Sequence, residues 1–317
     1  MKTRSQFPRR LIVPLVTPLA PDGTVDEGSV AALVERVVAG GVDGILALGT
    51  TGEGPMLPTA QRRRLVEAVC AANARLVTLM VGVGDLSTPR MLENAAACAD
   101  LPVDAWVAHL PSFVPLNPPE QAAYFEALHA ATGGPVYAYN FPALTKYEID
   151  LDVLAQLASA GVVRGIKETV EETGRLRRAI GLRERAPDFE VFGGRLSVAD
   201  VSLFLGVDGL VLGNANVAPR TAAALVRAAE REDWPAVRAI RARLEAACAP
   251  LHDVGPVRRS VVQGMKACLA ALGVIASDRM VTPFERGRAD DAAIAAAARR
   301  IAALEREFTQ AADGGSR

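Results

Sequence analysis

Residues that build redox or metal sites are scarce in this chain. Four cysteines and three histidines occur among 317 residues, and the cysteines show no Cys-x-x-Cys spacing. We interpret the cysteines as small apolar side chains buried in a protein of a reducing compartment, not as a disulfide framework. They are Cys70, Cys98, Cys248 and Cys268. His, Cys, Asp and Glu nowhere combine at metal-ligand spacing, so the sequence predicts no metal.

Neither an excess of one charge nor a long apolar run is present. Lys and Arg number 35 against 36 Asp and Glu, for a net charge of −1. Nucleic-acid binders normally carry a basic excess, so we expect no nucleic-acid partner. No run approaches the ~18 apolar residues of a membrane-spanning helix, so we expect no membrane partner. Pro14 and Pro18 interrupt the apolar run from 11 to 20, which predicts a strand of a cytoplasmic protein rather than a signal peptide.

Short apolar runs alternate with helix-like segments along most of the chain. The predicted strands are Ile12–Pro18, Gly44–Gly49, Val77–Val83, Asp104–Leu110, Val136–Asn140, Val163–Lys167, Glu190–Phe192 and Gly209–Gly213. The predicted helices between them are Glu27–Ala39, Thr59–Ala72, Thr88–Ala99, Pro119–Thr132, Leu151–Ser159, Glu172–Arg185 and Ser197–Phe204. Eight such units favour an α/β fold, a closed (β/α)8 TIM barrel, over an open doubly wound sheet.

The pattern becomes purely helical after Asn214. The predicted helices of this region are Arg220–Arg231, Trp234–Ala249, Val257–Ala271 and Ala289–Phe308. They exceed what a barrel needs. We therefore predict a barrel over residues 1–218, a C-terminal helical extension packed on it over residues 219–308, and a frayed polar tail over residues 309–317.

Two predicted strand ends bring a phenol and an amine to one edge of the barrel. Tyr139 ends one strand and Lys167 ends the next, with one helix between them. Lys167 follows the apolar residues Val162, Val163 and Ile166, so we expect its amine to be poorly solvated. Poor solvation favours the neutral amine, which attacks ketones to form Schiff bases. A nearby phenol can move the protons of that reaction. Taken alone, such a lysine more often extends to solvent, and such a tyrosine is more often a core aromatic.

These residues form part of a longer motif. The block Tyr139-Asn140-Phe141-Pro142 followed by Gly165-Ile166-Lys167-Glu168-Thr169 resembles the dihydrodipicolinate synthase/N-acetylneuraminate lyase family of class I aldolases. Three further blocks agree, and together they span residues 11 to about 275: Val16-Thr17-Pro18, Gly49-Thr50-Thr51-Gly52-Glu53 and Gly206-Val207-Asp208-Gly209. The resemblance implies a TIM barrel, a pyruvate Schiff base on Lys167, Tyr139 as proton carrier, and assembly into a homo-oligomer, a tetramer or a dimer.

The resemblance also assigns the segment after the second strand. It implies that Gly49, Thr50 and Thr51 bind the carboxylate of a 2-oxo acid and that Thr50 hydrogen-bonds the catalytic Tyr139. Backbone N–H groups and hydroxyls suit an anion, although a short Gly/Thr turn without such a role is common. Val211 matches a position near the substrate methyl group and fits equally an ordinary core valine.

Two departures from the family pattern concern the substrate. Dihydrodipicolinate synthases carry an arginine two positions after the motif proline, where this chain has Leu144. They also carry a second tyrosine after strand four, where this chain has Phe113. The sequence is therefore expected to lie closer to the lyase branch than to the true synthases, with Leu144 and Phe113 near the substrate.

Two further side chains are candidates for contact with the distal part of the substrate. Lyases of this family carry acidic residues after strand seven, whereas this chain has Arg195. A guanidinium facing the mouth suits a second carboxylate or a phosphate, and one facing outward would be solvated surface. His109 ends the fourth strand on the same rim, where a histidine is as often structural as functional.

The sequence thus predicts a class I, carbon–carbon lyase that acts on a small-molecule 2-oxo acid without metal or organic cofactor. The substrate is expected to be a 2-oxo-3-deoxy sugar acid or a related 4-hydroxy-2-oxo acid. A dehydratase or a synthase-type condensation begins with the same Schiff base on Lys167 and remains an alternative. A non-catalytic sensor of 2-oxo acids is a further one.

Overall fold

A computed structural model describes residues 8–252, 254, 261–284 and 290–314 of the chain, with side chains as far as residue 309. Its centre is a closed barrel in which β1 to β8 pair in sequence order, all parallel, and β1 also pairs with β8. The strands are β1 Arg10–Pro14, β2 Gly44–Ala47, β3 Thr78–Gly82, β4 Ala105–His109, β5 Val136–Asn140, β6 Gly165–Glu168, β7 Glu190–Gly193 and β8 Gly209–Val211. The predicted TIM barrel is confirmed, and the open sheet is excluded.

Twelve α-helices surround or follow the strands in the described residues. They are α1 Glu27–Ala39, α2 Thr59–Asn73, α3 Thr88–Ala96, α4 Pro118–Thr132, α5 Pro142–Thr145, α6 Leu151–Ser159, α7 Thr173–Gly181, α8 Ala199–Leu205, α9 Pro219–Glu230, α10 Trp234–Cys248, α11 Val261–Ala271 and α12 Asp291–Gly314. Short 3-10 helices occur at Gly54–Met56, Leu182–Glu184, Gly213–Asn216 and Ala249–His252. Side chains set several helix starts: Asn117 and Glu120 form a reciprocal capping box at α4, and Asp150 caps α6.

Five of the eight strands end earlier than the apolar runs predicted, whereas β5 ends as predicted and β6 and β7 each continue one residue further. The first strand, for example, ends at Pro14, although Leu15 and Val16 after it are fully buried. These residues are apolar because they pack beneath the rim, not because they extend the sheet. Apolar character therefore marks the rim segments as well as the strands, which is why the predicted ends ran too far.

The helix that completes the barrel, α9, lies where the sequence predicts a helix but beyond the predicted domain boundary. Helix α9 follows β8 and packs against β1 and α1, so it completes the eighth βα unit. The predicted boundary at residue 218 instead gave this helix to the extension. Helices α10, α11 and α12 form the extension, with α10 on α8 and α9 and with α12 against α9 and α11.

The ends of the extension differ from the prediction in length. Helix α12 continues beyond Phe308 to Gly314, where a frayed tail was expected from residue 309. The predicted start of the preceding helix at Val257, the start of the last one at Ala289, and residues 315–317 lie outside the described residues. Within the part of the chain that is described, no helix combines the length and the apolar character needed to cross a bilayer.

The barrel interior is a second apolar core, separate from the one between strands and helices. It is filled by alternate residues of the strands, which point inward. They are Ile12, Leu46, Met80, Ala105, Val107, Tyr137, Tyr139, Phe192 and Val211. This packing closes the barrel below its carboxyl rim, so the interior is the floor of the site described next.

Candidate active site

Tyr139 and Lys167 lie side by side at the carboxyl end of the barrel. They are register partners on β5 and β6, which places both side chains on the inner face. The Nζ atom of Lys167 lies 4.0 Å from the centroid of the Tyr139 ring. Tyr139 is 4% exposed and Lys167 7% exposed. An amine and a phenol thus meet at the bottom of the barrel mouth, the arrangement that the motif spacing predicts.

The residues that follow this pair hold the two strands together from the outer side. Because side chains alternate along a strand, Asn140 and Glu168 point away from the barrel interior. The Asn140 Nδ2 donates to Glu168 Oε2 at 2.8 Å, and Arg175 Nε donates to both Glu168 oxygens at 3.1 and 3.2 Å. Burial raises the pKa of the Glu168 carboxyl, and Arg175 and Asn140 oppose that rise. This hydrogen-bonded network fixes the backbone directly behind Tyr139 and Lys167.

A threonine-containing turn after β2 lies over the tyrosine hydroxyl. Thr50 Oγ1 is 3.4 Å from the Tyr139 hydroxyl, a long contact. Thr51 lines the same cavity as Lys167, and Gly49 is buried in the turn, its carbonyl accepting from the Gly54 N–H at 3.1 Å. The hydroxyls of Thr50 and Thr51 therefore face the space above the amine.

The cavity above Lys167, which we call the lysine cavity, has a volume of about 450 Å³. Val211, Thr51 and Arg195 line it together with Lys167 and Tyr139. A cavity of this volume accommodates a small-molecule ligand.

A second cavity opens beside the first and shares Thr50, Tyr139 and Leu144 with it. This histidine cavity has a volume of about 350 Å³ and a mostly apolar surface, and His109 is one of the polar side chains that border it. The His109 Nδ1 donates to the Leu110 carbonyl at 2.9 Å. Burial lowers the pKa of His109, which favours the neutral ring. The ring is thus fixed by its own backbone and borders a cavity next to the lysine, not the lysine cavity itself.

Leu144 and Phe113, the two residues that differ from the dihydrodipicolinate synthase pattern, lie in different environments. Leu144, 49% exposed, lies in the short helix α5 after Tyr139 and lines both cavities. Phe113 is 85% exposed and lines neither cavity, while its neighbour Ser112 lines the histidine cavity. The loop after β4 turns its phenyl group outward, so the structure does not bring Phe113 into the site.

Arg195 faces the lysine cavity rather than open solvent. Its guanidinium lies 5.3 Å from the centroid of the Phe141 ring, which in turn stacks on Tyr139 at 6.0 Å between centroids. The Arg195 Nε has no hydrogen-bond partner among the described residues. Glu171 lines the same cavity, so the guanidinium is not its sole charged group.

Several residues of the site were not identified from the sequence. One of them is Phe141, whose ring lies between Tyr139 and Arg195. Its position two residues after Tyr139 could have indicated that it lies on the same face. Thr169 stands two residues after Lys167, lines the lysine cavity and has a buried hydroxyl without a partner in the described part of the chain. In both cases strand alternation from a recognised residue was a usable signal. No group of three or more His, Cys, Asp or Glu in the described residues is arranged to hold a metal ion.

Several proteins are similar to this chain over most of its length. A protein of Halobacterium salinarum named as an uncharacterised DapA-like lyase is 31% identical over 83% of this chain and 84% of its own. A 4-hydroxy-tetrahydrodipicolinate synthase of Stenotrophomonas maltophilia is 30% identical over 83% of this chain and 86% of its own. The structure of dihydrodipicolinate synthase from Bacteroides thetaiotaomicron superposes with a TM-score of 0.87 at 28% identity, covering 92% of this chain and 98% of that one.

The family model described as the dihydrodipicolinate synthetase family matches residues 7–297, which include the whole barrel and most of the extension. Members of this family are lyases that use a Schiff-base lysine with pyruvate. The closed barrel, the sequence relatives and the family match agree, and the chain is an enzyme that belongs to the dihydrodipicolinate synthetase family.

Proposed function

We propose that the protein is a class I aldolase that cleaves or forms a 2-oxo-3-deoxy sugar acid or a related 4-hydroxy-2-oxo acid. The observation that carries the proposal is the Lys167 Nζ lying 4.0 Å from the Tyr139 ring centroid beneath a threonine-containing turn. The lysine cavity of about 450 Å³ supports a substrate longer than pyruvate. Leu144, at the position of the synthase arginine, supports a substrate other than that of the true synthases.

In the proposed first stage, Thr50 and Thr51 hold the carboxylate of the 2-oxo acid so that C2 faces Lys167. The neutral amine adds to C2, a C–N bond forms, and the carbonyl oxygen takes up a proton to give a carbinolamine. Loss of water then gives the iminium. Tyr139 carries the proton from the nitrogen to the departing hydroxyl, and Thr50 orients its phenol.

In the second stage the C3–C4 bond breaks. Tyr139 removes the proton of the C4 hydroxyl, and the electron pair of the C3–C4 bond moves into the iminium. An aldehyde leaves, and the pyruvate enamine remains on Lys167. Protonation at C3 and hydrolysis release pyruvate and restore the amine. Because the iminium is the electron sink, the proposed route requires neither metal nor organic cofactor.

Borohydride trapping tests the nucleophile. The chain has four lysines, so reduction in the presence of pyruvate followed by peptide mapping can assign the adduct uniquely. We expect the reduced pyruvyl group on Lys167 alone and expect Lys167→Ala to lose both adduct and turnover. Lys146→Ala is the matched control, because that exposed amine only donates to the Ala143 carbonyl. Full activity of Lys167→Ala would refute the mechanism.

A synthase-type condensation is the second candidate, because the relative in Stenotrophomonas maltophilia is a synthase. A dehydratase would begin with the same Schiff base. Products separate the three: pyruvate and an aldehyde indicate an aldolase, loss of water from an intact carbon chain indicates a dehydratase, and consumption of pyruvate with an aldehyde indicates condensation. A screen of 2-oxo-3-deoxy sugar acids is therefore the first assay. A sensor without catalytic function would give no turnover with any of them.

We infer in addition that the protein assembles into a homo-oligomer, a dimer or a tetramer. The neighbouring side chains of Phe113 and Val114 are both exposed and apolar, and such a patch supports a contact between copies. Sedimentation equilibrium of the intact chain measures the assembly directly, and a single monomeric species at all concentrations would exclude it. The cytoplasmic location stays a prediction.

A further inference from the structure

A fully buried ion pair joins the threonine-containing turn to the C-terminal extension. The Lys266 Nζ of α11 lies 2.7 Å from Glu53 Oε1, and both side chains are 0% exposed. The second Glu53 oxygen accepts from the Val281 N–H at 2.8 Å. The two charges are 213 residues apart in sequence. Both carboxylate oxygens of Glu53 thus bind groups that lie beyond the barrel.

The backbone of Glu53 is strained and continuous with the turn. Its φ of 57° lies in the left-handed region, which costs a non-glycine residue about 1 kcal/mol or more, and Leu48 on the other side of the turn has the same φ. The Glu53 N–H donates to the Thr50 carbonyl at 3.1 Å. A conformation of this kind persists only when neighbouring groups determine it. The side chain of Glu53 is one such determinant.

Other contacts fix the turn against the barrel. Thr17 Oγ1 donates to the Gly52 carbonyl at 2.5 Å, and Arg62 donates to the Gly54 carbonyl at 2.6 Å. A Cβ on Gly54 would lie 2.0 Å from the Leu48 carbonyl oxygen, so the turn closes on itself here. These contacts hold Gly52 and Gly54 from the side of the barrel, whereas the Glu53 side chain between them attaches the turn to α11.

We infer that the Lys266–Glu53 ion pair is the positioning device that holds Thr50 and Thr51 in the conformation that binds the substrate carboxylate. This inference deepens the proposed function and rests on it. Glu53 borders the histidine cavity, but neither partner lines the lysine cavity, so both act on the carboxylate site through the turn and are positioning residues. The affinity of the site for a 2-oxo acid then depends on the C-terminal extension as well as on the barrel.

The ion pair is poorly explained by stability alone. Replacing a buried pair with apolar groups of similar size is often neutral or stabilising, because the desolvation of two charges offsets their attraction. Burial lowers the pKa of Lys266, and the adjacent Glu53 carboxylate opposes that change. A pair of this kind is better explained by the geometry it imposes.

The test separates stability from carboxylate binding. The double variant Lys266→Met/Glu53→Gln removes both charges and keeps an oxygen for the Val281 N–H. Its control is Arg64→Met/Glu27→Gln, the same changes in an exposed pair with a contact of 2.6 Å. Each protein is titrated with pyruvate, and the borohydride adduct on Lys167 gives the concentration for half-maximal trapping. The titration is repeated with pyruvamide, which has a ketone but no carboxylate. Melting temperatures are measured in parallel.

We expect the double variant to fold with a melting temperature near that of the unaltered protein. Its half-maximal pyruvate concentration should rise about 10–100-fold, the loss when hydrogen bonds to a charged group are misaligned. Maximal trapping should persist at saturating pyruvate, and the pyruvamide titration and the control should change less than about twofold.

Three results would overturn the inference. One is an unchanged pyruvate titration in the folded double variant. Another is an equal weakening for pyruvate and pyruvamide, which indicates general damage. In both cases the proposed function stands, since Lys167 is still labelled. Absence of labelling in the unaltered protein would refute the proposed function together with this inference. Should the double variant not fold, Glu53→Asp, which keeps the charge but shortens the side chain, is judged by the same criteria.

Discussion

Two tyrosines of one strand stand in opposite environments at the two ends of the barrel. Tyr137 and Tyr139 both lie on β5 and both point into the barrel interior. The Tyr137 hydroxyl donates to Glu190 Oε2 at 2.7 Å, and Glu190 also pairs with Arg10 and Arg164. The Tyr139 hydroxyl, in contrast, has its recorded contact with Thr50 at 3.4 Å.

This difference separates stability from reactivity along a single strand. At the amino end, burial and the adjacent Glu190 raise the pKa of Tyr137, so its hydroxyl is a fixed, neutral donor. At the carboxyl end, Lys167 and Tyr139 are placed without a tight polar partner for either reactive atom among the described contacts. At the closed end the polar groups are paired with one another, whereas at the open end the polar atoms of Tyr139 and Lys167 are available to a substrate.

Substitution of each tyrosine by phenylalanine tests this difference most directly, and the larger effect is expected at Tyr139. Tyr139→Phe keeps the ring and removes the proposed proton carrier, so we expect kcat to fall by roughly 10²–10⁴-fold. Pyruvate trapping at saturation should fall in rate but not in extent. Steady-state kinetics on a substrate found in the product screen measure the effect. An unchanged kcat would assign proton transfer to another group.

Tyr137→Phe is the matched control on the same strand and face. It removes a hydroxyl that donates to Glu190, which keeps its pairing with Arg10. We expect a loss of about 1 kcal/mol in unfolding free energy, the usual size for one hydrogen bond, and little change in kcat. A comparable loss of kcat at both positions would show that ring polarity in the barrel matters more than proton transfer at the rim.

The second test breaks the closed end. Glu190→Gln removes the charge that Arg10 and Arg164 share, so we expect the free energy of unfolding to fall by roughly 1–3 kcal/mol. Part of the loss is recovered because Arg10 remains partly open to water. Chemical denaturation measures it, with Asp188→Asn as control, since that carboxylate is 71% exposed and 4.0 Å from Arg164. Equal stability of the two variants would contradict a structural role for Glu190, and Lys167 trapping should be unaffected in both.

The sequence predicted the open end of the barrel far better than the closed end. Period and motif together identified the eight units and the Tyr139–Lys167 pair, because each depends on local runs and fixed spacing. These are features that a short segment encodes by itself. The sequence left two positions open for Arg195, the mouth and the solvated surface, and the structure shows it in the lining of the lysine cavity.

What the sequence could not predict depends on contacts between distant segments. Lys266 is the charged residue of helix α11, and only the fold shows that Glu53, far earlier in the chain, is its partner. The direction of Phe113 likewise follows from how the loop after β4 leaves the rim. Contacts between segments so far apart in sequence leave no periodic pattern in the sequence by which they could be predicted.

The last prediction concerns Arg195, which extends the comparison from the reactive atoms to the far end of the substrate. The guanidinium has donors and a fixed positive charge but no acceptor, so it favours an anionic distal group over a neutral polyol. It lines the lysine cavity over Phe141 and is partly buried, and Glu171 lines the same cavity. We therefore expect Arg195→Ala to raise KM for a carboxylated or phosphorylated 2-oxo acid by about tenfold, near the lower limit for a charge-assisted hydrogen bond. KM for a matched neutral substrate should change less than about twofold, and trapping of pyruvate on Lys167 should not change. The control is Arg178→Ala, because that exposed guanidinium lies 3.8 Å from the exposed Glu172, outside the cavity.

Equal changes in KM for the anionic and neutral substrates would reject an anionic substrate. The aldolase proposal would still stand, because Arg195 takes no part in forming the Schiff base.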